Sequence, residues 1–147
     1  RKRETLSLLI DLGRRARDNA AADVARAVRL ENREREMMAK LTRFQDDYRD
    51  ATPKRQGQAT GSQAIETHRL FVDRLDGAVE DQRARETRAA EARAQSEVAL
   101  SLTERRIKAL ERLQQKKQLT ERRRDEQRAQ RVTDEQAALL ARRSRTR

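Results

Sequence analysis

Asp50-Ala-Thr-Pro-Lys-Arg-Gln-Gly-Gln-Ala-Thr-Gly-Ser62 is the only stretch of the chain in which helix breakers cluster, with Pro53, Gly57 and Gly61 inside it. Proline removes a backbone donor and glycine frees the backbone, so this spacing predicts a loop over 52–62 that separates two helices. Its exit carries helix-start chemistry. Thr60 or Ser62 can cap the following helix, and Gln63 stands three after Thr60 as in a capping box.

Outward from that loop, the residues read as helix in both directions. Of 147 residues, 35% are hydrophobic, 2% aromatic and 41% charged, with one proline and four glycines in all. Ala, Leu, Arg, Glu and Gln dominate, and all favour helix. With two Phe, one Tyr and no Trp, burial at roughly 25 cal/mol per Å² has to come from thin, extended interfaces and not from a thick core.

Upstream, a helix is expected over 5–51. Steps of three and four from Leu6 fall on Leu6, Leu9, Gly13, Ala16, Ala20, Asp23, Ala27, Leu30, Glu34, Met37, Leu41, Phe44 and Tyr48, and ten of these thirteen are apolar. Downstream, a helix over 63–143 carries a weaker seam of Ile65, Val72, Leu75, Val79, Ala89, Leu100, Ile107 and Leu110, interrupted by Glu86 and Arg93. Residues 83–97 hold no large apolar side chain and would face the Ala-rich middle of the first helix if the two fold back antiparallel. The fold class is therefore all-α, one coiled-coil domain over 1–147 shaped as an antiparallel hairpin. The second helix is the longer. With Tyr48 near Ile65, Leu6 falls near Ile107, and residues beyond about 112 protrude without an intramolecular partner.

Charge is unevenly placed. The net charge is +11, and residues 101–147 hold 15 basic and 7 acidic residues against 21 and 18 in residues 1–100. Such a basic segment favours an acidic partner surface. Nucleic acid is the rival reading, but no zipper adjoins a basic region and no aromatic interleaves with the basic segment, so no nucleic-acid partner is expected.

The chain holds no cysteine and one histidine, which excludes disulfides, thiolate catalysis and Cys-based zinc sites. No phosphate-binding glycine loop or nucleophile elbow is present, and the carboxylates stand beside cations at helical spacing, as in Glu31 to Arg35 and Glu104 to Lys108. The reading is a non-enzyme without cofactor or metal. His68 reads as a half-buried seam residue. No apolar run approaches the roughly 20 residues that span a bilayer, so a cytoplasmic protein without membrane insertion is expected.

All three aromatics fall beside the loop. Met37, Leu41, Phe44 and Tyr48 step by 4, 3 and 4, and Phe71, Leu75, Ala78 and Gln82 repeat those steps after it. Val72, Leu75 and Val79 already supply an inward stripe, which leaves Phe71 and Ala78 on an adjacent face. An apolar stripe exposed on so charged a chain reads as a docking patch.

These residues resemble the flagellar export protein FliJ, whose family has a cognate stalk protein in injectisome type III secretion. The likeness covers nearly the whole chain: Leu6-x-x-Leu9-Ile10-Asp11-Leu12, the Ala-rich stretch after it, Phe44-Gln45-Asp46-Asp47-Tyr48-Arg49, and Phe71-x-x-x-Leu75-x-x-Ala78. The resemblance implies a two-helix central stalk of the export apparatus at the inner-membrane base. Its terminal end would enter a hexameric export ATPase, its loop-side end would face the cytoplasmic domain of the export gate, and it would assist export chaperones. Gate contact would run along Met37, Leu41, Phe44, Tyr48, Phe71, Leu75, Ala78 and Gln82. The sequence differs from the family pattern at Met37, Phe44 and Gln82, where a polar residue, Tyr and His are familiar. The basic set expected at the ATPase is Arg105, Arg106, Arg112, Lys116, Lys117, Arg122, Arg123 and Arg124. An injectisome stalk, a basic coiled-coil scaffold and a nucleic-acid-binding protein are the alternatives.

Overall fold

The computed structural model describes the backbone of residues 2–55 and 61–146 and the side-chain surroundings of 2–50 and 61–146. Two helices make up the fold, α1 (Lys2–Arg55, 54 residues) and the longer α2 (Ser62–Arg145, 84 residues), paired as a helical hairpin. Among the described residues no helix is long and apolar enough to cross a membrane.

The expected loop is shorter than its breakers predict. α1 runs on past residue 51 through Pro53 to Arg55, because a proline near the end of a helix costs one backbone hydrogen bond and does not by itself stop the chain. Residues 56–60, including Gly57 and the candidate cap Thr60, lie outside the described residues. Gly61 leads into α2, its carbonyl accepting the Ala64 N–H at 3.0 Å.

The helices form two compact units, one of Arg1–Ala16 with Thr103–Arg147, the other of Arg17–Leu102. In the second unit the pairing is antiparallel: Glu31 meets Arg93, Gln45 meets Asp76, and Tyr48 meets Phe71. The buried or half-buried positions of α1 there are Arg17, Ala20, Val24, Ala27, Glu31, Glu34, Met38, Leu41, Gln45 and Tyr48, with Val28 half-buried beside them. Opposite them α2 turns in His68, Val72, Leu75, Val79, Gln82, Glu86, Ala89, Arg93, Ser96 and Leu100. Steps of three and four recur throughout, as the coiled-coil seam requires.

In the first unit the pairing is likewise antiparallel, with Arg3 bridged to Glu121 and Arg14 to Glu111 at 3.5 Å. Leu6, Ile10 and Ile107 form its buried core. Gly13 lies so close to Ile107 that a Cβ built on it would stand 3.1 Å from Ile107 Cγ1.

Two expectations are corrected here. Ile107 was expected beside Leu6 and lies beside Gly13, and Tyr48 was expected near Ile65 and stacks on His68 and Phe71. α1 ends later than expected, at Arg55, which moves the bend toward the C-terminus and shifts facing partners in the direction observed. The unpaired part of α2 consequently begins after Glu121 and not near 112: Glu111, Gln114, Lys117 and Glu121 are half-buried, and every residue from 122 to 146 is exposed.

The residues of α1 that face inward also differ from expectation. Leu6, Gly13, Ala20, Ala27, Glu34, Leu41 and Tyr48 do, as expected, but the alternate row is Ile10, Arg17, Val24, Glu31, Met38 and Gln45 and not its neighbour Leu9, Ala16, Asp23, Leu30, Met37 and Phe44. The second of those rows is the more apolar, yet it is the one left outside. Ile65 on α2, expected in the seam, is exposed as well.

Candidate docking surfaces

A heptad seam has two flanks, and in the unit of residues 17–102 they differ in chemistry. One flank is ionic. Arg49 reaches Asp76 at 3.9 Å, Gln45 donates to the same carboxylate at 2.5 Å, and Arg35 approaches Glu86 at 3.9 Å. Pairs so exposed contribute little stability each but fix which residues face each other. The other flank is apolar. Met37 and Phe44 on α1 are 47% and 61% exposed, and Phe71 on α2 is 44% exposed. Large side chains left half in water along one row make this flank a candidate docking surface.

Each residue of the expected gate stripe takes a definite place relative to that flank. Met37, Phe44 and Phe71 stand on it, and Ala78 is half-buried at its edge. Leu41, Tyr48 and Leu75 are half-buried in the seam behind it. Tyr48 anchors the aromatic cluster, its ring 4.4 Å from Phe71 and 5.4 Å from a nearly parallel His68. His68 is thus the half-buried seam residue that its position predicts. Gln82 is different: at 4% exposure it is buried, and its amide nitrogen donates to the Glu34 carbonyl at 3.0 Å and to the Glu34 carboxylate. Its hydrogen-bonding capacity is directed inward.

Glu31, read from the sequence as a helical-spacing partner of Arg35, is buried in the structure. It is 2% exposed and receives hydrogen bonds from Arg35, at 2.5 Å along α1, and from Arg93 across the seam. The Arg93 guanidinium is raised above its ordinary pKa by its hydrogen bond to Glu31 and then by that to Glu97. The i to i+4 spacing of Glu31 and Arg35 was visible, but the cross-seam partner depends on the register that the bend sets.

The basic set falls entirely in the unit that contains Thr103–Arg147. Arg105, Arg106, Arg112 and Lys116 are exposed where α2 still pairs with α1, and Lys117 is half-buried, lining one hollow with Arg3, Leu6 and Gln114. Arg122, Arg123 and Arg124 are exposed past the last α1 partner. At 3.6 residues per turn these three already sweep about 200° of the helix, so they form a partial collar of charge, open on the side of Glu121 and Asp125, and not a stripe. A collar suits an acidic surface that surrounds the helix better than one that lies along it.

A family model described as the flagellar FliJ protein matches residues 2–146. Neither a curated protein nor a solved structure matches the chain.

Proposed function

The chain belongs to the flagellar FliJ protein family, a family of the flagellar type III export apparatus, and from that premise we propose that it works there as a central stalk, by contact and without catalysis. Three partners complete this reading: the hexameric export ATPase, the cytoplasmic domain of the export gate, and export chaperones. The site of action is the cytoplasmic side of the inner membrane, at the base of the apparatus.

The apolar flank beside Tyr48 carries the gate half of the proposal. Phe44 and Phe71 are exposed there although the chain holds only three aromatics and buries its other large side chains thinly. Met37, Phe44, Phe71 and Ala78 would meet the gate directly, and Leu41, Tyr48, Leu75 and Gln82 would hold them in place from the seam. Burial of aromatic surface against a partner is the dominant source of affinity at such patches.

For the ATPase half, the supporting observation is the exposed arginine collar. Arg122, Arg123 and Arg124, together with Arg105, Arg106, Arg112, Lys116 and Lys117, would face acidic or polar loops lining the ring. The decisive experiment measures both partners on the same variants. Phe44→Ala with Phe71→Ala is expected to lose gate binding and keep stimulation of ATP hydrolysis, and reversing Arg122, Arg123 and Arg124 to Glu is expected to do the converse. Equal loss of both activities in either variant refutes this division of labour.

A further inference from the structure

The apolar flank extends beyond the patch assigned to the gate. Leu30, Met37 and Phe44 recur on α1 at intervals of seven, and Leu30 is as exposed as Met37, 46% against 47%. An interval of seven keeps one direction along a helix that pairs with another, and these positions cover four turns, roughly 21 Å at 1.5 Å per residue. On the matching row of α2 stand Ala78, Arg85 and Ala92, two residues small enough to let a third backbone approach and, between them, one exposed cation.

The rows bordering this flank are charged. On α1 the next row outward is Arg26, Arg33, Lys40 and Asp47, and on α2 it is Arg74, Asp81 and Arg88, all exposed. Five of these seven are cations. A second copy of the chain would set such borders against each other on a molecule of net charge +11, which like-charge repulsion opposes. A membrane surface would satisfy the cations but has no seven-residue period to match. A helix with an apolar stripe and carboxylates on either side satisfies both.

We propose that this flank seats one amphipathic helix of an acidic protein partner, laid along Leu30, Met37 and Phe44, with its carboxylates on Arg33 and Lys40. The result is a local three-helix bundle. The inference rests on reading this flank as a docking surface and adds the element that docks.

The test uses the full chain and a synthetic helical peptide of about four heptads with Leu at the seam positions and Glu beside them, together with its Lys-for-Glu counterpart. Fluorescence anisotropy at physiological salt is expected to give at least about tenfold tighter binding for the acidic peptide. Met37→Ser with Phe44→Ser abolishes that binding, and Arg33→Glu with Lys40→Glu shifts the preference to the Lys peptide. Should the serine variant lose helicity by circular dichroism, the charge reversal carries the test alone.

Three results overturn the proposal: equal binding of both peptides or of neither, a dimer in sedimentation equilibrium that Met37→Ser with Phe44→Ser dissolves, or binding to phosphatidylglycerol vesicles that the same substitutions abolish while the peptide is ignored. Measuring the isolated cytoplasmic domain of the gate on the same variants separates the two readings. Gate binding that needs Phe71 but ignores the Arg33 and Lys40 reversal, without peptide binding, sinks the helix seat and spares the gate assignment. Peptide binding without gate binding does the reverse.

Discussion

Arg93 of α2 donates its Nε hydrogen to the carboxylate of Glu31 on α1, and Glu31 is among the least exposed side chains of the unit formed by Arg17–Leu102. The pair sits where the seam runs out of large apolar residues, with Ala27 and Ala89 close by in sequence. A charge buried in that stretch requires a partner, and only one register supplies it. Arg35 and Glu97 complete the cluster, each bonded along its own helix.

The cluster therefore specifies register more than it adds stability. Arg93→Leu leaves the Glu31 carboxylate with Arg35 alone and is expected to lower the melting temperature. Glu31→Leu with Arg93→Leu is expected to recover most of that loss or exceed the parent, because a well-packed apolar pair of similar volume replaces a buried ion pair at no net cost. The price is alternative registers, visible as added species when a cysteine pair placed for one register is oxidised. The raised pKa of Arg93 puts the charged form in the folded state, so its contribution is fully present below the unfolded-state value and fades only in strong alkali. Melting curves across the neutral range that varied through Arg93 would contradict this.

Two glycines separate helix propensity from packing. Nothing lies within 4 Å of a Cβ built at Gly77, whereas one at Gly13 meets Ile107 Cγ1 at 3.1 Å. Gly77→Ala is expected to stabilise the chain by about 0.5–1 kcal/mol, the entropy that glycine loses in a helix interior. Gly13→Ala gains the same entropy but must displace buried Ile107 and falls short of that figure, and Gly13→Leu is expected to destabilise outright. Thermal denaturation of the three variants ranks them, and equal gains at both alanine sites would show that α1 and α2 do not press together at Gly13.

The hairpin was legible in the sequence because its evidence was redundant: one cluster of breakers, strong helix formers on either side, and a seven-residue repeat that put Leu6, Gly13, Ala20, Ala27, Glu34, Leu41 and Tyr48 inward, where they are. The alternate row was not legible. Leu30, Met37 and Phe44 compete with Glu31, Met38 and Gln45 for the same turns, and counting apolar residues favours the wrong row. What decides it lies far off in sequence, since Glu31 meets Arg93 and Gln45 meets Asp76. The error is informative, because a row apolar enough to pass for a seam, yet left outside, is the row that the docking proposal uses. Gln82 escaped for a related reason: its spacing after Phe71 suggested the surface, and only its bonds to Glu34 reveal that it faces in.

Phe44 and Phe71 are expected to separate stability from binding. Phe44 stands mostly in water at 61% exposure, so Phe44→Ala is expected to change stability by less than about 0.5 kcal/mol. Phe71 packs on Tyr48 with ring centroids 4.4 Å apart, and Phe71→Ala is expected to cost about 1 kcal/mol more than Phe44→Ala. If the gate covers both, calorimetric titration of the gate domain shows comparable losses of affinity for the two variants despite their unequal melting temperatures. Affinity losses that merely follow the melting temperatures would mean that Phe71 acts by holding the hairpin together.

Past Glu121, what opposes fraying is the backbone bonds of α2 with local side-chain bonds such as Gln130 to Asp134 at 3.3 Å. Residues 122–146 are all exposed, and their few large apolar side chains, Val132, Leu139 and Leu140, face water. Helix without tertiary packing is marginal, because nucleation is costly and propagation gains little per residue. Hydrogen exchange is therefore expected to be faster for amides beyond about 125 than for those near the buried Ile107, by the ratio that separates local fraying from opening of the pair. Adding the export ATPase is expected to slow exchange beyond Glu121 selectively, since a ring closing on the Arg122–Arg124 collar supplies the missing partner. Reversal of those three charges to Glu is expected to remove that protection, with the difference from the parent shrinking as salt rises, while leaving the melting temperature nearly unchanged. Protection of the overhang in the isolated chain, equal to that around Ile107, would mean that it already has a partner and would remove the physical reason for placing it inside a ring.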